Sequence, residues 1–403
     1  MTAKTHLHPS DLRGASRLAT DAVIAVTDLV ETMHHNIGSV SKPLGTPAAG
    51  STRGMTGLVY RTVRGVTRLV GSSIDIALAP LTTLLENRES SSNRDAVVAA
   101  LNGVLGDYLA STNNPLAVTM QWRSPAGPLA AEKTALAAAL PNASGKVLVL
   151  VHGLCMSDQQ WLREGHDHGA ALARDLGYTP VYLRYNSGLH ISANGREFAA
   201  MLESLLASWP VPVEELAILA HSMGGLLARS AHHYGKTAGH RWPEQLRSLL
   251  FLGTPHHGAP LERGGHWLDI ILGVSPYTAP FVRLGKIRSA GITDLRFGDL
   301  RDEDWQGHEQ HKRAKAAKHA LPLPPATRCY AVAATTGKRP GDLYDRVLGD
   351  GLVPLSSALG QHPDPALELA IPAARRWVGY GMNHMDLLSS TDVYARIRQW
   401  LAP

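Results

Sequence analysis

The feature that most constrains this chain is an alternation of short apolar segments with helical patterns from residue 146 onward. Six strand-length segments are rich in aliphatic or aromatic residues: 146–151, 180–185, 216–220, 246–252, 327–335 and 375–381. Helical patterns lie between them, for example at 196–207 and 224–233. Buried strands separated by helices are typical of a mostly parallel sheet covered by helices on both faces. The pattern therefore predicts an α/β fold.

The first part of the chain has a different pattern. Apolar residues recur at steps of three or four over residues 11–34, 55–70 and 95–109, which predicts three helices. The stretch 38–54 between the first two is rich in Gly, Pro, Ser and Thr and reads as a linker. We therefore expect a helical N-terminal region over 1–115 and an α/β domain over 116–403.

Composition narrows the class of protein. Of 403 residues, 44% are hydrophobic, which is enough to bury a core and excludes a wholly disordered chain. No run of about 20 apolar residues predicts a membrane span, and the start MTAKTHLHPSDLRG lacks the apolar region of a secretory signal. Two cysteines exclude a disulfide framework and a cysteine-rich zinc site. We expect a cytoplasmic location.

The net charge of +5 is too small to indicate a nucleic-acid partner, but the positive charge is local. No acid lies between Glu31 and Asp75, and Arg61, Arg64 and Arg68 fall in that stretch. Residues 51–85 are therefore a candidate for peripheral contact with a membrane or granule surface. The alternative is that the valine face of this helix packs on the α/β domain, because amphipathic helices usually face a core.

A candidate nucleophile follows the strand at 216–220. Ala220-His221-Ser222-Met223-Gly224-Gly225 joins that strand to a helical pattern, which is the strand–turn–helix context of a nucleophile elbow. A sharp turn lifts the serine oxygen above the sheet, and bulky residues two positions either side would clash. Small residues, Ala220 and Gly224, stand there. Ser222 is the predicted nucleophile.

A second motif, Val151-His152-Gly153-Leu154, ends the strand at 146–151. Acyl transfer passes through an oxyanion that needs two backbone N–H donors. One is expected from Met223, the residue after the nucleophile, and the other from Leu154.

A serine nucleophile also needs a base and a carboxylate that orients the base, in the chain order serine, acid, histidine for this type of sheet. Asp350, in Gly349-Asp350-Gly351, and His384, in Asn383-His384-Met385-Asp386, have that order. Asp345 is a rival for the acid, whereas Asp386 is expected to cap or orient locally.

The set VHGL, AHSMGG, GTPHHGAP, GDGLVP and NHMDLL resembles the α/β-hydrolase superfamily, specifically its bacterial lipase and PGAP1-like esterase branch. The resemblance covers about residues 145–403. It implies that the chain has an α/β-hydrolase fold and that the protein hydrolyses carboxylic esters of lipid-like acyl groups (EC 3.1.1). Ser222, Asp350 and His384 would form the triad, and Leu154 and Met223 the oxyanion hole.

The same triad would also serve an acyltransferase, a thioesterase or a polyester depolymerase, with the N-terminal region as a surface-binding module. Residues 259–325 exceed a usual crossover and suggest a lid over the acyl pocket, or alternatively a packed insertion. The pairs His166/His168 and His308/His311 lack a third ligand, so no metal is expected. No cofactor is expected either, and Cys155 is expected to be a small core or pocket residue rather than a nucleophile.

Overall fold

The computed structural model describes residues 8–39, 54–85, 92–259, 289–307, 321–339 and 349–402. The chain divides into two compact units. The first comprises Met1–Arg94 with Ser111–Ala117, and the second comprises Asp95–Ala110 with Val118–Pro403.

The first unit contains two long helices, α1 (Pro9–Ser39) and α2 (Gly54–Leu85). They pack closely, since a Cβ added at Gly71 would lie 2.4 Å from Thr20 Oγ1. Ion pairs formed by arginines also connect the two helices. Arg13 and Arg17 each bind Asp75 at 2.6 Å, and Arg64 binds Glu31 at 2.5 Å. The hydrogen bonds from Arg13 and Arg17 hold the pKa of Asp75 well below its usual range.

The helices predicted in this region are present and are longer than the periodicity indicated. The third is α3 (Ser92–Ser111), most of which belongs to the second unit. Most of the predicted linker, residues 40–53, lies outside the described residues.

The second unit is built on an eight-stranded sheet of order β2-β1-β4-β3-β5-β6-β7-β8. The strands are β1 (Gln121–Ser124), β2 (Gly127–Leu129), β3 (Lys146–Val151), β4 (Thr179–Arg184), β5 (Glu215–His221), β6 (Leu246–Leu252), β7 (Arg328–Thr335) and β8 (Arg376–Tyr380). β1 and β2 are antiparallel to their neighbours, and all other pairs are parallel.

Helices cover the sheet. They are α4 (Lys133–Ala139), α5 (His168–Leu176), α6 (Ile191–Ala207), α7 (Met223–Thr237), α8 (Trp242–Gln245), α9 (Ala290–Phe297), α10 (Leu355–Ala358) and α11 (Thr391–Leu401). Short 3₁₀ segments lie at Asp158–Trp161, Asp302–Asp304, Ala373–Arg375 and Asp386–Leu388.

The core lies on both faces of the sheet because every side chain of β3 after Lys146 is buried. Leu148 and Leu150 join one apolar cluster with Val393 and Ile397 of α11. Side chains of a strand alternate between faces, so the intervening valines of β3 point to the opposite side. Burial on both faces explains why these strands read as continuous apolar runs rather than as alternating ones.

All six predicted strands are present within one or two residues of their expected bounds, and the predicted fold class is confirmed. Several elements have no counterpart in the prediction, including the helices α4, α8 and α10. The β1–β2 hairpin consists of a four-residue and a three-residue strand, too short to give a periodic signal. α5 was also not predicted.

A buried ion network was not visible in the sequence. Arg184, at the end of β4, binds Asp95 of α3 at 2.8 Å and also binds Asp158. Gln159 Nε2 donates to Asp95 at 2.7 Å. These contacts join α3 to the sheet of the second unit, which accounts for the assignment of most of α3 to that unit.

Most of the predicted lid, residues 260–288 and 308–320, lies outside the described residues, so the lid stays a prediction. Among the helices that the structure describes, none combines the length and the apolar character needed to cross a bilayer.

Candidate active site

Ser222 occupies the turn between β5 and α7. Its backbone has φ 54° and ψ −126°, in the left-handed region that a non-glycine residue rarely adopts. Two hydrogen bonds hold this conformation. Ser222 N donates to Leu252 O at 2.8 Å, and Gly225 N donates to Ser222 O at 3.0 Å. This is the strained turn expected of a nucleophile elbow.

The glycine two residues after Ser222 is required by close backbone contact. A Cβ at Gly224 would lie 2.5 Å from the carbonyl oxygens of Val151 and His152. On the other side, a Cβ at Gly153 would lie 3.0 Å from Ser222 Cβ. The turn after β5 therefore lies directly against the loop after β3. β3 pairs with β4 on one side and β5 on the other, so a crevice forms at their carboxyl ends.

His384 and Asp350 form a buried pair. His384 Nδ1 donates to Asp350 Oδ2 at 2.6 Å, and their side chains are 4% and 1% exposed. The other carboxylate oxygen, Oδ1, accepts from Leu352 N at 3.0 Å and Val353 N at 2.8 Å. Since a carboxylate only accepts, the histidine proton is on Nδ1 and Nε2 is left as the basic nitrogen. This is the tautomer that a general base needs.

The His384 ring lies beside the end of β6, next to the serine turn. A Cβ at Gly253 would lie 2.9 Å from His384 Cε1, while the preceding residue, Leu252, accepts from Ser222 N. The structure records no hydrogen bond between Ser222 Oγ and His384 Nε2. That contact is often long without substrate and tightens during reaction.

A second histidine, His221, lies next to His384, with 4.6 Å between the ring centroids. Burial, reinforced by the neighbouring His384, holds the pKa of His221 well below its usual range. Its Nε2 lies 3.1 Å from His384 O, a bond in which the nitrogen donates. His221 therefore stays neutral and supports the backbone of His384.

The predicted oxyanion donors are backbone N–H groups of Met223 and Leu154. Met223 is the first residue of α7, so its N–H has no acceptor within its own helix. Leu154 is buried in the loop after β3. The loop residue Cys155 has φ 59°, and its N–H donates to Ser187 Oγ at 3.0 Å.

His152 orients the peptide that carries the Leu154 N–H. His152 Nδ1 lies 2.9 Å from Gly153 O, and His152 Nε2 accepts from Tyr185 N at 3.3 Å. The Nδ1 proton therefore binds the Gly153 carbonyl. In a trans peptide the carbonyl and the next N–H point in opposite directions, so this bond also fixes the Leu154 N–H.

Burial lowers the pKa of His152 to about 4, so its ring stays neutral at physiological pH. The His152 ring stacks on the Tyr185 ring, with 4.3 Å between the ring centroids, and Tyr185 Oη donates to His152 O at 2.9 Å. The sequence motif that predicts the oxyanion donor Leu154 contains His152 but gives no indication of Tyr185 or Ser187. Both follow β4, and strands β3 and β4 are parallel neighbours. Their position at the same sheet edge is the signal that could have identified them.

The remaining candidates have other roles. Cys155 is buried, and burial raises its pKa to about 12, which leaves an inert thiol. Asp386 Oδ2 accepts from Asn383 N at 2.8 Å, the expected local role. The rival acid Asp345 lies outside the described residues.

The side chains of the pair His166/His168 form hydrogen bonds within the protein. His166 Nε2 lies 2.8 Å from His168 Nδ1, and His168 Nε2 lies 2.9 Å from Leu387 O. His168 is fully buried. No group of three or more potential ligands occurs among the described residues, and His308 and His311 lie outside them.

Comparison with known proteins gives one family match. Residues 142–321 match the model of the PGAP1-like alpha/beta domain. No curated protein sequence matches the chain.

Three solved structures illustrate the structural likeness. Bacillus licheniformis lipase BlEst2 in mature form is 20% identical, with a TM-score of 0.41, over 64% of this chain and 91% of that one. Aspergillus fumigatus lipase B is 12% identical, with a TM-score of 0.39, over 68% and 54%. The Pyrococcus furiosus esterase Pf2001 is 13% identical, with a TM-score of 0.36, over 64% and 82%.

The family match begins just before β3 and includes the loop after β3 and the serine turn after β5. The strand order and the serine turn agree with the resemblance carried by the motifs, and residues 142–321 are similar to the PGAP1-like alpha/beta domain.

Proposed function

We propose that the protein is a serine hydrolase that cleaves carboxylic esters, with lipid-like acyl groups as the substrate class. The observation that carries the proposal is the buried 2.6 Å bond from His384 to Asp350, beside the strained serine turn. An imidazole whose Nδ1 is held by a carboxylate, a serine on a strained turn and two backbone donors are the components of acyl transfer.

In the proposed mechanism His384 Nε2 takes the Ser222 proton as Ser222 Oγ attacks the ester carbonyl. Asp350 holds the imidazole and stabilises the imidazolium. The N–H groups of Met223 and Leu154 donate to the oxyanion, where one donor contributes about 3 kcal/mol. The alcohol leaves with the proton from His384. Water then attacks acyl-Ser222 with His384 as base, releasing the carboxylic acid.

The Ser222→Ala variant tests the assignment. Loss of the nucleophile should reduce turnover of p-nitrophenyl butyrate by about 10⁴-fold or more, and should abolish labelling by a fluorophosphonate probe. Ser204→Ala, at an exposed serine of α6, is the matched control and should behave as wild type. Turnover of the Ser222→Ala variant near the wild-type rate would exclude Ser222 as the nucleophile.

The same triad serves an acyltransferase, a thioesterase or a polyester depolymerase, because all share the acyl-enzyme. Partition of acyl-Ser222 between water and an added alcohol separates hydrolase from transferase. Predominant formation of the free acid at moderate alcohol concentrations supports the hydrolase, and predominant formation of a new ester supports the transferase.

We also propose that α2 attaches the protein to an anionic lipid surface. Val59 and Val66 are 59% and 56% exposed, which is unusual because the apolar side chains of an amphipathic helix are normally buried. Arg61 and Arg68 on the other side of α2 are exposed as well. Apolar side chains and unshielded arginines on one helix suit the acyl and phosphate parts of an anionic membrane surface.

A further inference from the structure

A cavity of about 270 Å³ lies near the loop that follows β6, apart from the candidate active site. None of Ser222, Asp350 and His384 lines it. Its wall carries basic groups from several elements, including Arg229 of α7 and His256 and His257 of the loop. His362 and Arg296, both half-buried, also line it. The cavity is several times larger than one water molecule requires.

Arg229 is a buried cation in this wall, 3% exposed. Its Nη1 lies 3.3 Å from His256 Nδ1, and its Nη2 donates to Leu321 O, whereas Nε has no hydrogen-bond partner in the part of the chain that the structure describes. Burial lowers the pKa of Arg229 to about 10, so the guanidinium remains charged at neutral pH. No carboxylate within salt-bridge distance pairs with it among the described residues. A buried charge in this condition is costly unless an anion compensates it.

The acid that lines the same cavity, Asp304, has other partners. Its carboxylate binds Arg301 Nη2 at 2.8 Å and accepts from Leu300 N and Arg301 N, each at 2.9 Å. Asp304 thus acts on Arg229 from a distance and does not form a direct ion pair with it.

His256 provides a second donor. Because a guanidinium only donates, His256 Nδ1 accepts from Arg229, and the ring proton of a neutral His256 is on Nε2. That nitrogen is buried, and none of the described residues forms a hydrogen bond with it. Two N–H donors with no acceptor, Arg229 Nε and His256 Nε2, therefore belong to side chains of one cavity. Oxygen atoms of an anion would satisfy both.

We propose that this cavity binds a small oxyanion, a phosphate or carboxylate group, through Arg229 and His256, with His362 at its edge. His362 is in contact with His257, at 4.9 Å between ring centroids. A bound anion would join α7, the loop after β6 and the segment around 362–369. The proposal concerns binding alone and does not depend on the proposed hydrolysis.

Thermal unfolding of the full chain tests the proposal in two arms, inorganic phosphate and butyrate, each against sodium chloride at equal ionic strength. We expect a saturable rise in Tm of about 2–5 °C over chloride with at least one of them, because a ligand of the folded state stabilises it. A rise in Tm with phosphate alone indicates a phosphate site. A rise in Tm with butyrate indicates a site for carboxylates such as the product of ester cleavage. No rise with either anion would overturn the proposal.

The Arg229→Met variant tests whether Arg229 binds the anion. Removal of an uncompensated buried charge should leave Tm in chloride within a few degrees of the wild-type value, but should abolish the rise with the anion. Arg247→Gln, at an exposed arginine of β6, is the control and should keep the rise. If Arg229→Met does not fold, His362→Ala, at the edge of the cavity, should weaken binding several-fold by isothermal titration calorimetry. An unchanged anion response in these variants would contradict the assignment.

Discussion

At the scale of single residues, the candidate site depends on groups whose protonation is set by neighbours distant in sequence. Asp350 fixes the proton of His384 on Nδ1, and Tyr185 N, which donates to His152 Nε2, fixes the proton of His152 on Nδ1. The motifs identified the positions of these residues, because strand ends and chain order are readable from sequence. The role of His152 depends on Tyr185, which comes from the next strand, and the sequence does not show that contact.

His152→Phe tests the orientation of the oxyanion loop. Phe keeps a ring that can stack on Tyr185 but cannot bind Gly153 O, so the Leu154 N–H loses its fixed direction. We expect kcat for p-nitrophenyl butyrate to fall by about 10²-fold with a much smaller change in KM, since the donor acts on the transition state.

Tyr185→Phe is the comparison for this variant. It removes the hydrogen bond to His152 O and leaves the bond to Gly153 O in place, so kcat should fall by less than 10-fold. Equal losses in the two variants, or a change confined to KM, would argue against orientation of the Leu154 N–H by His152.

At the scale of elements, the helices with a clear apolar periodicity and the strands with continuous apolar runs were predictable, and short elements were not. β6 was predicted within its exact bounds because all its side chains but one are buried. The β1–β2 hairpin has no comparable signal, since its register depends on pairing with β4. α2 was predicted as amphipathic, but its valines are exposed, and one of its three central arginines, Arg64, is engaged by Asp28 and Glu31 of α1.

The exposed face of α2 gives a prediction for lipid binding. The full chain should co-sediment with vesicles that contain phosphatidylglycerol, and the bound fraction should decrease with salt because the arginine contribution is screened. The double variant Val59→Asp, Val66→Asp should lose most of this binding, since it places charge on the apolar face.

Leu162→Asp is the control for lipid binding, because Leu162 is an equally exposed apolar residue outside α1 and α2, at 66%. It should bind vesicles as wild type does. Equal binding by the double variant, or no sedimentation of wild type with anionic vesicles, would exclude α2 as the attachment site.

At the scale of the whole molecule, buried neutral histidines couple stability to pH. Burial lowers the pKa of His152 and of His168 to about 4, whereas histidine in an unfolded chain titrates near 6.5. Between these values the unfolded chain binds more protons, so the free energy of unfolding falls as pH decreases from about 6.5 to about 4. Each histidine can contribute up to about 3 kcal/mol to this loss.

Urea unfolding followed by tryptophan fluorescence at pH 7.0, 5.5 and 4.5 measures this effect. Trp161 reports on the region because its ring lies 6.5 Å from that of His168. The free energy of unfolding of His152→Phe should depend less steeply on pH than that of wild type, since one titrating group is gone. A constant free energy of unfolding from pH 7.0 to 4.5 would contradict the role of the buried histidines.

The sequence by itself determined the α/β class, the six parallel strands and the candidate positions Ser222, Asp350 and His384. Burial on both faces makes a strand apolar along its length, and the sharp serine turn demands small neighbours, so both leave local patterns. Only the tertiary structure decided the hydrogen bonds of His152, the placement of Asp95 with Arg184, and the cavity around Arg229. Those features join segments far apart in the chain, and no local pattern encodes which side chains the fold brings into contact.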